Sequence, residues 1–353
     1  MINNYKISVA PMMDWTDRHC RYFFRGFSDQ VLLYTEMITA AAIIHGDRDR
    51  LLRFDPAEQP VALQLGGSDP RGLAVAARAG EDAGYIEINL NCGCPSDRVH
   101  AGSFGACLML QPELVAESVA SMQRSVGVPV TVKMRIGTIS GAGACARVAE
   151  FDDDDFQHLL RFTDVVAQAG CRRFIVHARK AVLGGLSPRE NREVPPLRFD
   201  VVRRLKQAFP ALSIHVNGGL RTVEQCREAL TWADGVMLGR EAYHRPELLA
   251  DAAQQLLGAA PQRIDRVELL ERMAAYAERQ VAQGERLATI TRHMLGLYSG
   301  QSGARRFRQY LSEGARDIGV GTAHTAAAGR LLRSAAIATA VESAATATAD
   351  CQG

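Results

Sequence analysis

Eight short runs rich in β-branched and other apolar residues recur along the chain, and stretches with helical periodicity separate them. Such alternation is typical of a parallel sheet, because parallel neighbours need a crossover connection that is usually a helix. A count of eight favours closure into a barrel over an open sheet. The predicted strands are 7–10, 31–35, 61–65, 85–90, 128–134, 173–177, 212–216 and 235–238. We therefore expect an α/β chain built on a parallel (β/α)8 barrel.

The chain continues well past the last predicted strand. A barrel of this kind needs about 250 residues, whereas the chain has 353. From Pro261 to about Val341, apolar residues follow helical spacing and no further strand pattern occurs. We expect a barrel domain at 1–255, a small all-helical domain at 256–333, and an Ala/Thr-rich low-complexity tail at 334–353 that is partly disordered.

Within the barrel, the spacing of apolar residues predicts helices at 71–83, 112–126, 156–169, 199–208 and 223–230. The acidic run 152–155 fits the start of a helix, where the helix dipole favours negative charge. Residues 137–147 are rich in Gly and Ala and are expected to form a flexible loop after the fifth strand.

Composition excludes several classes of protein. No apolar run approaches the roughly 20 residues that span a bilayer, and the N-terminus lacks the pattern of a signal peptide. We therefore expect a cytoplasmic protein with no membrane partner. The eight cysteines are scattered through an apolar-rich chain, which predicts reduced thiols. Cys92 and Cys94 have no second Cys/His pair at zinc-site spacing, so no metal site is expected.

Glycines follow the seventh and eighth predicted strands. Asn217-Gly218-Gly219 comes after one, and Gly239-Arg240 comes after the other. Barrels often hold a phosphate between these two loops, because glycine lets backbone N–H groups approach the ligand closely. Either motif alone fits an ordinary turn, but the two together predict a phosphate-bearing ligand.

Lys133 and His177 lie near the ends of the fifth and sixth predicted strands. Each also fits a solvated or hydrogen-bonded position at the rim of the barrel. A strand buried on both faces, however, leaves a lysine in need of an anionic partner. The electron-rich pyrimidine edge of a reduced flavin is such a partner, and Gln64, at the end of the third strand, can hydrogen-bond the same edge.

The most distinctive segment is Asn89-Leu90-Asn91-Cys92-Gly93-Cys94-Pro95-Ser96. A buried strand runs here into a tight Gly/Pro loop that presents a thiol and two amides. From the residues alone, Cys94 is a nucleophile, an acid or a small apolar filler. Cys92 fits a structural position better.

Together with Ala10-Pro11-Met12-Met13-Asp14 and His177-Ala178-Arg179, this run resembles the tRNA-dihydrouridine synthases. Further matches narrow the resemblance to the A type, which acts at positions 20 and 20a of the tRNA D-loop. They include Asp97-Arg98-Val99, Gly105 through Met109, Leu186 through Leu197, and Thr291 through Leu297. The resemblance runs from about residue 7 to 315. It implies an FMN-bearing barrel with a helical tRNA-binding domain, and NADPH as the electron source.

Residue by residue, the resemblance implies three groups of site residues. Cys94 is the general acid. The expected FMN contacts are Pro11, Met12, Met13, Gln64, Lys133, His177, Asn217, Gly218, Gly219, Gly239 and Arg240. The expected tRNA contacts are Arg189, Arg192, Arg305 and Arg308, with Asn91 beside the target base.

The implied chemistry suits these residue types. Reduced flavin delivers hydride from N5 to C6 of the uracil ring, and C5 must then receive a proton. A thiol is mostly protonated at neutral pH and can serve as that acid. The uridine must also leave its stack to enter the barrel mouth, and arginine contacts to the tRNA backbone can offset that cost.

Two departures from the family pattern stand out. Cys92 places a second thiol beside the site, and the loop 137–155 is longer than the family leads us to expect. Two other functions remain open from the sequence. One is a flavin barrel enzyme acting on a free pyrimidine, like dihydroorotate dehydrogenase, and the other is a non-catalytic tRNA-binding protein. No obligate protein partner is evident.

Overall fold

The computed structural model describes residues 5–95, 104–141, 143–260 and 264–335. Its internal contacts divide the chain into two compact units. The first consists of Met1–Thr16 and Gln30–Gly239, and the second of Asp17–Asp29 and Arg240–Gly353. Both units are therefore discontinuous in sequence.

The first unit is a closed parallel barrel of eight strands. The barrel strands are β1 (Ile7–Val9), β2 (Leu32–Thr39), β3 (Val61–Gly66), β4 (Glu87–Cys92), β5 (Val130–Arg135), β7 (Arg173–His177), β9 (Ser213–Asn217) and β10 (Gly235–Leu238). Around the barrel they follow the order β1-β10-β9-β7-β5-β4-β3-β2, with β1 and β2 also paired. The predicted barrel and its eight strands are confirmed, and β2 continues past its predicted end at Thr35.

Helices follow most of the barrel strands. They are α2 (Ala40–His45), α3 (Arg48–Leu52), α4 (Pro70–Asp82), α5 (Pro112–Ser125), α6 (Ala144–Arg147), α7 (Asp153–Gln168), α8 (Phe199–Ala208) and α9 (Val223–Ala229). The predicted acidic helix start is confirmed: Asp152 caps α7 by accepting from the Asp155 backbone N–H, and Asp155 returns the bond.

The barrel interior combines small and large apolar side chains from several strands. A buried cluster packs there, formed by Ala10, Leu32, Tyr34, Ala62, Ile175 and Met237. Polar side chains share this interior. Glu87 and Arg173 form an ion pair 2.7 Å long, and each side chain is at most 3 % exposed.

The predicted flexible loop at 137–147 is wrong in part. Strand β6 (Thr138–Ser140) pairs in parallel with β8 (Ala181–Leu183), and α6 follows β6. Ala144, Val148 and Val182 form a small buried cluster that orders the segment. These contacts join residues that are far apart in the sequence, so the local Gly/Ala composition does not reveal them.

The second unit is helical. Its helices are α1 (Arg18–Phe24), α10 (Arg240–His244), α11 (Glu247–Leu257), α12 (Arg266–Ala282), α13 (Leu287–Thr291) and α14 (Ala304–Asp317), followed by a helical stretch at 325–335. Helix α1 packs on α12 through Tyr22 and Tyr276, whose rings stack at 3.9 Å. Asp17 caps α1 and pairs with His293 at 3.0 Å. Burial alone would raise the pKa of the Asp17 carboxyl, but this pair and other interactions outweigh it and lower that pKa far below its ordinary value.

The domain bounds 1–255 and 256–333 stay predictions. Of the predicted tail, 334–353, residues 336–353 lie outside the described part of the chain. Among the helices of the described ranges, none is long and apolar enough to cross a membrane.

The buried ion pair yields a stability prediction. Arg173→Met leaves the Glu87 carboxylate in the barrel interior without its cation, and breaking a buried pair in this way costs about 3–5 kcal/mol. We expect the free energy of unfolding in urea to fall by about that amount. Arg172→Met, at the exposed neighbouring position, is the control and should change it by less than about 0.5 kcal/mol. A loss as small as the control's in Arg173→Met would show that the pair contributes little.

Candidate functional site

Side chains with chemical potential lie at the C-terminal ends of the barrel strands, which share one mouth. The strand register places Asn91 beside Lys133 and Arg135 beside His177. His177 also lies beside Asn217 on β9. The loop that carries Cys94 begins where β4 ends, so it opens on the same mouth. The structure thus brings the thiol loop together with the lysine and the histidine.

The backbone around Cys94 is held by side-chain and backbone contacts. The Asn91 Oδ1 atom accepts from the N–H of Gly93 at 3.0 Å and from the N–H of Cys94 at 2.9 Å. The Ala106 N–H donates to the Cys94 carbonyl at 2.9 Å. Fixing the backbone on both sides of the thiol limits the positions that the sulfur can reach.

The two neighbouring thiols have different environments. Cys92 is fully buried, and burial raises the pKa of its thiol far above the ordinary value. Cys94 is only partly buried. Burial therefore supports a structural position for Cys92 and access for Cys94. Ser96 and the motif 97–99 lie outside the described residues.

Lys133 is a cation without a counterion. It has no hydrogen-bond or ion-pair partner among the described residues. Burial lowers the pKa of its ammonium group to about 7, and the neighbouring Arg135 guanidinium acts in the same direction. A lysine in this state is stabilised by any anionic ligand that enters the mouth.

Arg135 braces the thiol loop, a role that the sequence analysis did not assign. Its Nε donates to the Gly93 carbonyl at 3.1 Å, while Nη1 donates to the carbonyls of Lys180 and Asn191 at 3.2 and 3.0 Å. Three separate loops therefore meet at one guanidinium that is 4 % exposed. The sequence signal was a second basic residue two positions after Lys133, on the same face of the strand.

His177 carries an unused polar atom. Its Nδ1 is buried and makes no hydrogen bond to the described residues. Burial lowers the pKa of the imidazole well below its usual value, and the nearby cations Arg135 and Lys133 add to the shift. The ring is therefore neutral at physiological pH and has a free nitrogen for a ligand.

The backbone beside His177 favours glycine, because a side chain there would be strained and crowded. Gly218 has a φ of +111°, and a Cβ there would lie 3.2 Å from His177 Nε2. At the end of β10, by contrast, a Cβ on Gly239 would meet nothing within 4 Å. The Asn217 side chain ties these strand ends together by donating to the Met237 carbonyl at 2.7 Å. Arg240 follows directly and begins α10 in the second unit.

The first strand also ends in residues suited to a ligand. The Met12 N–H donates to the Thr16 hydroxyl at 2.9 Å, which tightens the turn after Pro11. Met13 exposes 56 % of its surface, so its side chain is accessible to a ligand. On β3, the amide of Gln64 is buried and hydrogen-bonded at both ends, to Asn89 and to Asn91.

The predicted tRNA contacts fall into two groups. In the first unit, Arg189 and Arg192 are both exposed, and the Arg189 guanidinium lies 3.7 Å from the Glu193 carboxylate. In the second unit, Arg305 and Arg308 are exposed on α14, and neither has an ion-pair partner among the described residues. Asn91 is 8 % exposed and engaged with the thiol loop.

No cluster of three or more His, Cys, Asp or Glu side chains in the described ranges has the arrangement of a metal site.

Comparison with protein families gives a match over most of the chain. The family model described as "Dihydrouridine synthase (Dus)" matches residues 8–330. The chain is 56 % identical over 307 residues to a tRNA-dihydrouridine(20/20a) synthase of Pseudomonas syringae pv. tomato, covering 87 % of this chain and 88 % of that protein. It is 53 % identical over 307 residues to the protein of the same name from a Synechocystis species, covering 87 % and 88 %.

Among solved structures, the chain resembles a 2-naphthoyl-CoA reductase in complex with 2-naphthoyl-CoA. The TM-score is 0.53 at 9 % sequence identity, and the match covers 72 % of this chain and half of that one. At this identity the likeness concerns the fold alone.

The environment of Lys133 yields a prediction for the cofactor-free protein. Because the pKa falls from 10.5 to about 7 on folding, the unfolded chain binds more protons between these values. Lys133 therefore reduces stability as the pH falls from about 10 to 7. We expect Lys133→Met to raise the urea midpoint more at pH 7 than at pH 9.5. Lys6→Met, at an exposed position, is the control and should show no such difference. An equal effect of Lys133→Met at both pH values would contradict the prediction.

Proposed function

The chain belongs to the dihydrouridine synthase family, and we propose that it reduces uridine to 5,6-dihydrouridine in the D-loop of tRNA, at positions 20 and 20a. One observation carries the proposal. The partly exposed thiol of Cys94 shares a barrel mouth with Lys133, His177 and the Gly218 turn. A reductive site needs both an acid for the substrate and a place for an electron donor, and this mouth offers both.

We propose FMN as the resident cofactor and NADPH as its reductant. A bound FMN would supply the hydride for C6 of the uracil ring. The free Nδ1 of His177 and the unpaired Lys133 fit the polar edge of an electron-rich ring, and Gln64 lies on β3, which β4 separates from the strand of Lys133. Pro11, Met12 and Met13 would contact the ring from the first strand. The glycine-rich ends of β9 and β10, with Asn217, Gly218, Gly219, Gly239 and Arg240, suit the phosphate.

Cys94 is proposed as the acid that protonates C5. Asn91 and Arg135 hold the loop around it, so the sulfur is presented from a fixed backbone. Catalysis by a positioned acid depends on such placement, because the donor atom must lie within about 3 Å of the atom that it protonates. The buried Cys92 cannot take this part.

The tRNA is proposed to bind through arginines of both units. Arg189 and Arg192 extend from the segment that Arg135 braces, and Arg305 and Arg308 are unpaired cations on α14. Arginine guanidinium groups suit phosphates, and backbone contacts can offset the few kcal/mol needed to flip a base. Asn91 then lies beside the flipped uracil. Because tRNA is used at the ribosome, we expect the protein to act in the cytoplasm, without an obligate protein partner.

The role of Cys94 is tested by Cys94→Ala. We expect the variant to keep its flavin and its reduction by NADPH, while dihydrouridine formation falls by about a hundredfold or more, because a general acid contributes about that much. The measurement is dihydrouridine at each D-loop position in tRNA from a strain that lacks the protein and carries either gene. Cys107→Ala, at another partly buried thiol, is the control. Undiminished product from Cys94→Ala would remove Cys94 from the mechanism.

The tRNA surface is tested by Arg305→Glu combined with Arg308→Glu. We expect tRNA affinity to fall at least about tenfold, and the slope of its logarithm against log salt to shrink by about two, since each phosphate contact contributes about one. Flavin content should not change. Arg48→Glu with Arg50→Glu makes the same charge change at exposed positions of α3 and is the control. Wild-type affinity and slope in the first double variant would exclude this surface.

A further inference from the structure

A continuous row of hydrogen bonds crosses the barrel interior from the thiol loop to a buried carboxylate. Its side chains come from neighbouring strands and are between 0 % and 8 % exposed. In order, Asn91 Nδ2 donates to Gln64 Oε1 at 2.9 Å, Gln64 Nε2 to Asn89 Oδ1 at 2.7 Å, Asn89 Nδ2 to Thr131 Oγ1 at 2.9 Å, and Thr131 Oγ1 to Glu87 Oε1 at 2.7 Å.

The two ends of this row fix its direction. Glu87 is a carboxylate that also accepts from the Tyr34 hydroxyl at 2.5 Å and from Arg173 at 2.7 Å, so toward Thr131 it can only accept. Thr131 has a single hydroxyl hydrogen, which it donates to the Glu87 carboxylate. Asn89 must therefore present its NH2 group to Thr131.

The same reasoning extends to the mouth. With its NH2 group directed to Thr131, Asn89 presents its oxygen to Gln64, which must donate. The Gln64 oxygen is then left for Asn91, whose NH2 group donates to it. The Asn91 oxygen finally faces the N–H groups of Gly93 and Cys94, which are donors only. Every member is satisfied in one orientation, and reversing any amide would place two donors or two acceptors face to face.

We propose that Glu87, Thr131 and Asn89 are positioning residues, which set the amide orientation of Gln64 and Asn91 and so hold the Cys94 loop in place for proton transfer. The proposal rests on the proposed function of this mouth. The hydrogen bonds of the three within the row do not reach the thiol loop directly, and each acts through the next side chain. The Arg173 guanidinium, 2.7 Å from the Glu87 carboxylate, holds that side chain in place at the far end of the row.

The hydroxyl of Thr131 offers a nearly isosteric test. Thr131→Val removes the link between Asn89 and Glu87, whereas Thr131→Ser retains it. Thr163→Val is the matched control, because Thr163 is also fully buried in the same unit but donates to the Leu159 carbonyl within α7. A general loss of stability would affect both valine variants alike.

The first measurement uses the purified full-length protein and iodoacetamide, with alkylation of Cys94 followed by peptide mass spectrometry. We expect the rate at Cys94 to rise at least about threefold in Thr131→Val, because the loop is less tightly held, and to stay at the wild-type value in Thr131→Ser and Thr163→Val. Alkylation at the exposed Cys145 should be the same in all four proteins.

The second measurement is a single turnover, in which reduced enzyme is mixed with unmodified tRNA without oxygen. Dihydrouridine formation should slow about tenfold in Thr131→Val, since small misplacements of a reacting group have effects of this size or larger. Flavin reduction by NADPH and tRNA affinity should remain within about twofold of wild type. Such a split between the two half-reactions is not expected from a merely structural change.

Wild-type behaviour of a folded Thr131→Val in both measurements would overturn the proposal. If that variant does not fold, Asn89→Ala removes the adjacent link, and the same two results are required of it. A wild-type protein that forms no dihydrouridine would refute the proposed function instead. The alkylation comparison would still decide whether the row positions Cys94.

Discussion

Pairing of the first strand with the last is the constraint on which the site depends. Ile7, Ser8 and Val9 lie in register with Val236, Met237 and Leu238, and this ladder closes the sheet. In an open sheet, the residues that follow β3 would be far from the residues that follow β9. Closure instead directs all eight strand ends to one opening, so residues distant in sequence become neighbours. The site is therefore a consequence of topology before it is a consequence of any single side chain.

Charge is distributed unevenly along the barrel axis. At the inner end, Glu87 and Arg173 neutralise each other. At the mouth, Lys133 has no counterion in the described part of the chain, and the Arg135 hydrogen bonds found there go to carbonyl oxygens. Burying unpaired cations costs stability, and proteins accept such costs mainly where a ligand or a reaction requires them. These unpaired cations at the mouth are consistent with the anionic ligand that we propose to bind there.

The sequence was sufficient to predict the barrel because each strand forms from a local run and each helix from a local period. Lys133 and His177 could also be predicted from the sequence, since their positions at strand ends follow from the strand bounds. Arg135 was not, because its three carbonyl partners come from loops whose paths depend on the whole fold. The interior row left a signal that went unused: Glu87, Asn89 and Asn91 alternate with Ile88 and Leu90, and period two places all three on one face.

The bounds of the two units have a consequence for how this protein can be altered. Helix α1 belongs to the helical unit although it follows the first barrel strand directly, and Tyr22 and Asp17 make contacts there with Tyr276 and His293. The polypeptide thus crosses between the units three times rather than once. A chain that ends at residue 239 would keep α1 but lack the helices that α1 packs against. Aromatic surface that the intact chain covers would then be exposed. The helical unit of a relative therefore cannot be exchanged as one continuous segment, because the exchange must replace residues 17–29 together with all residues after 239.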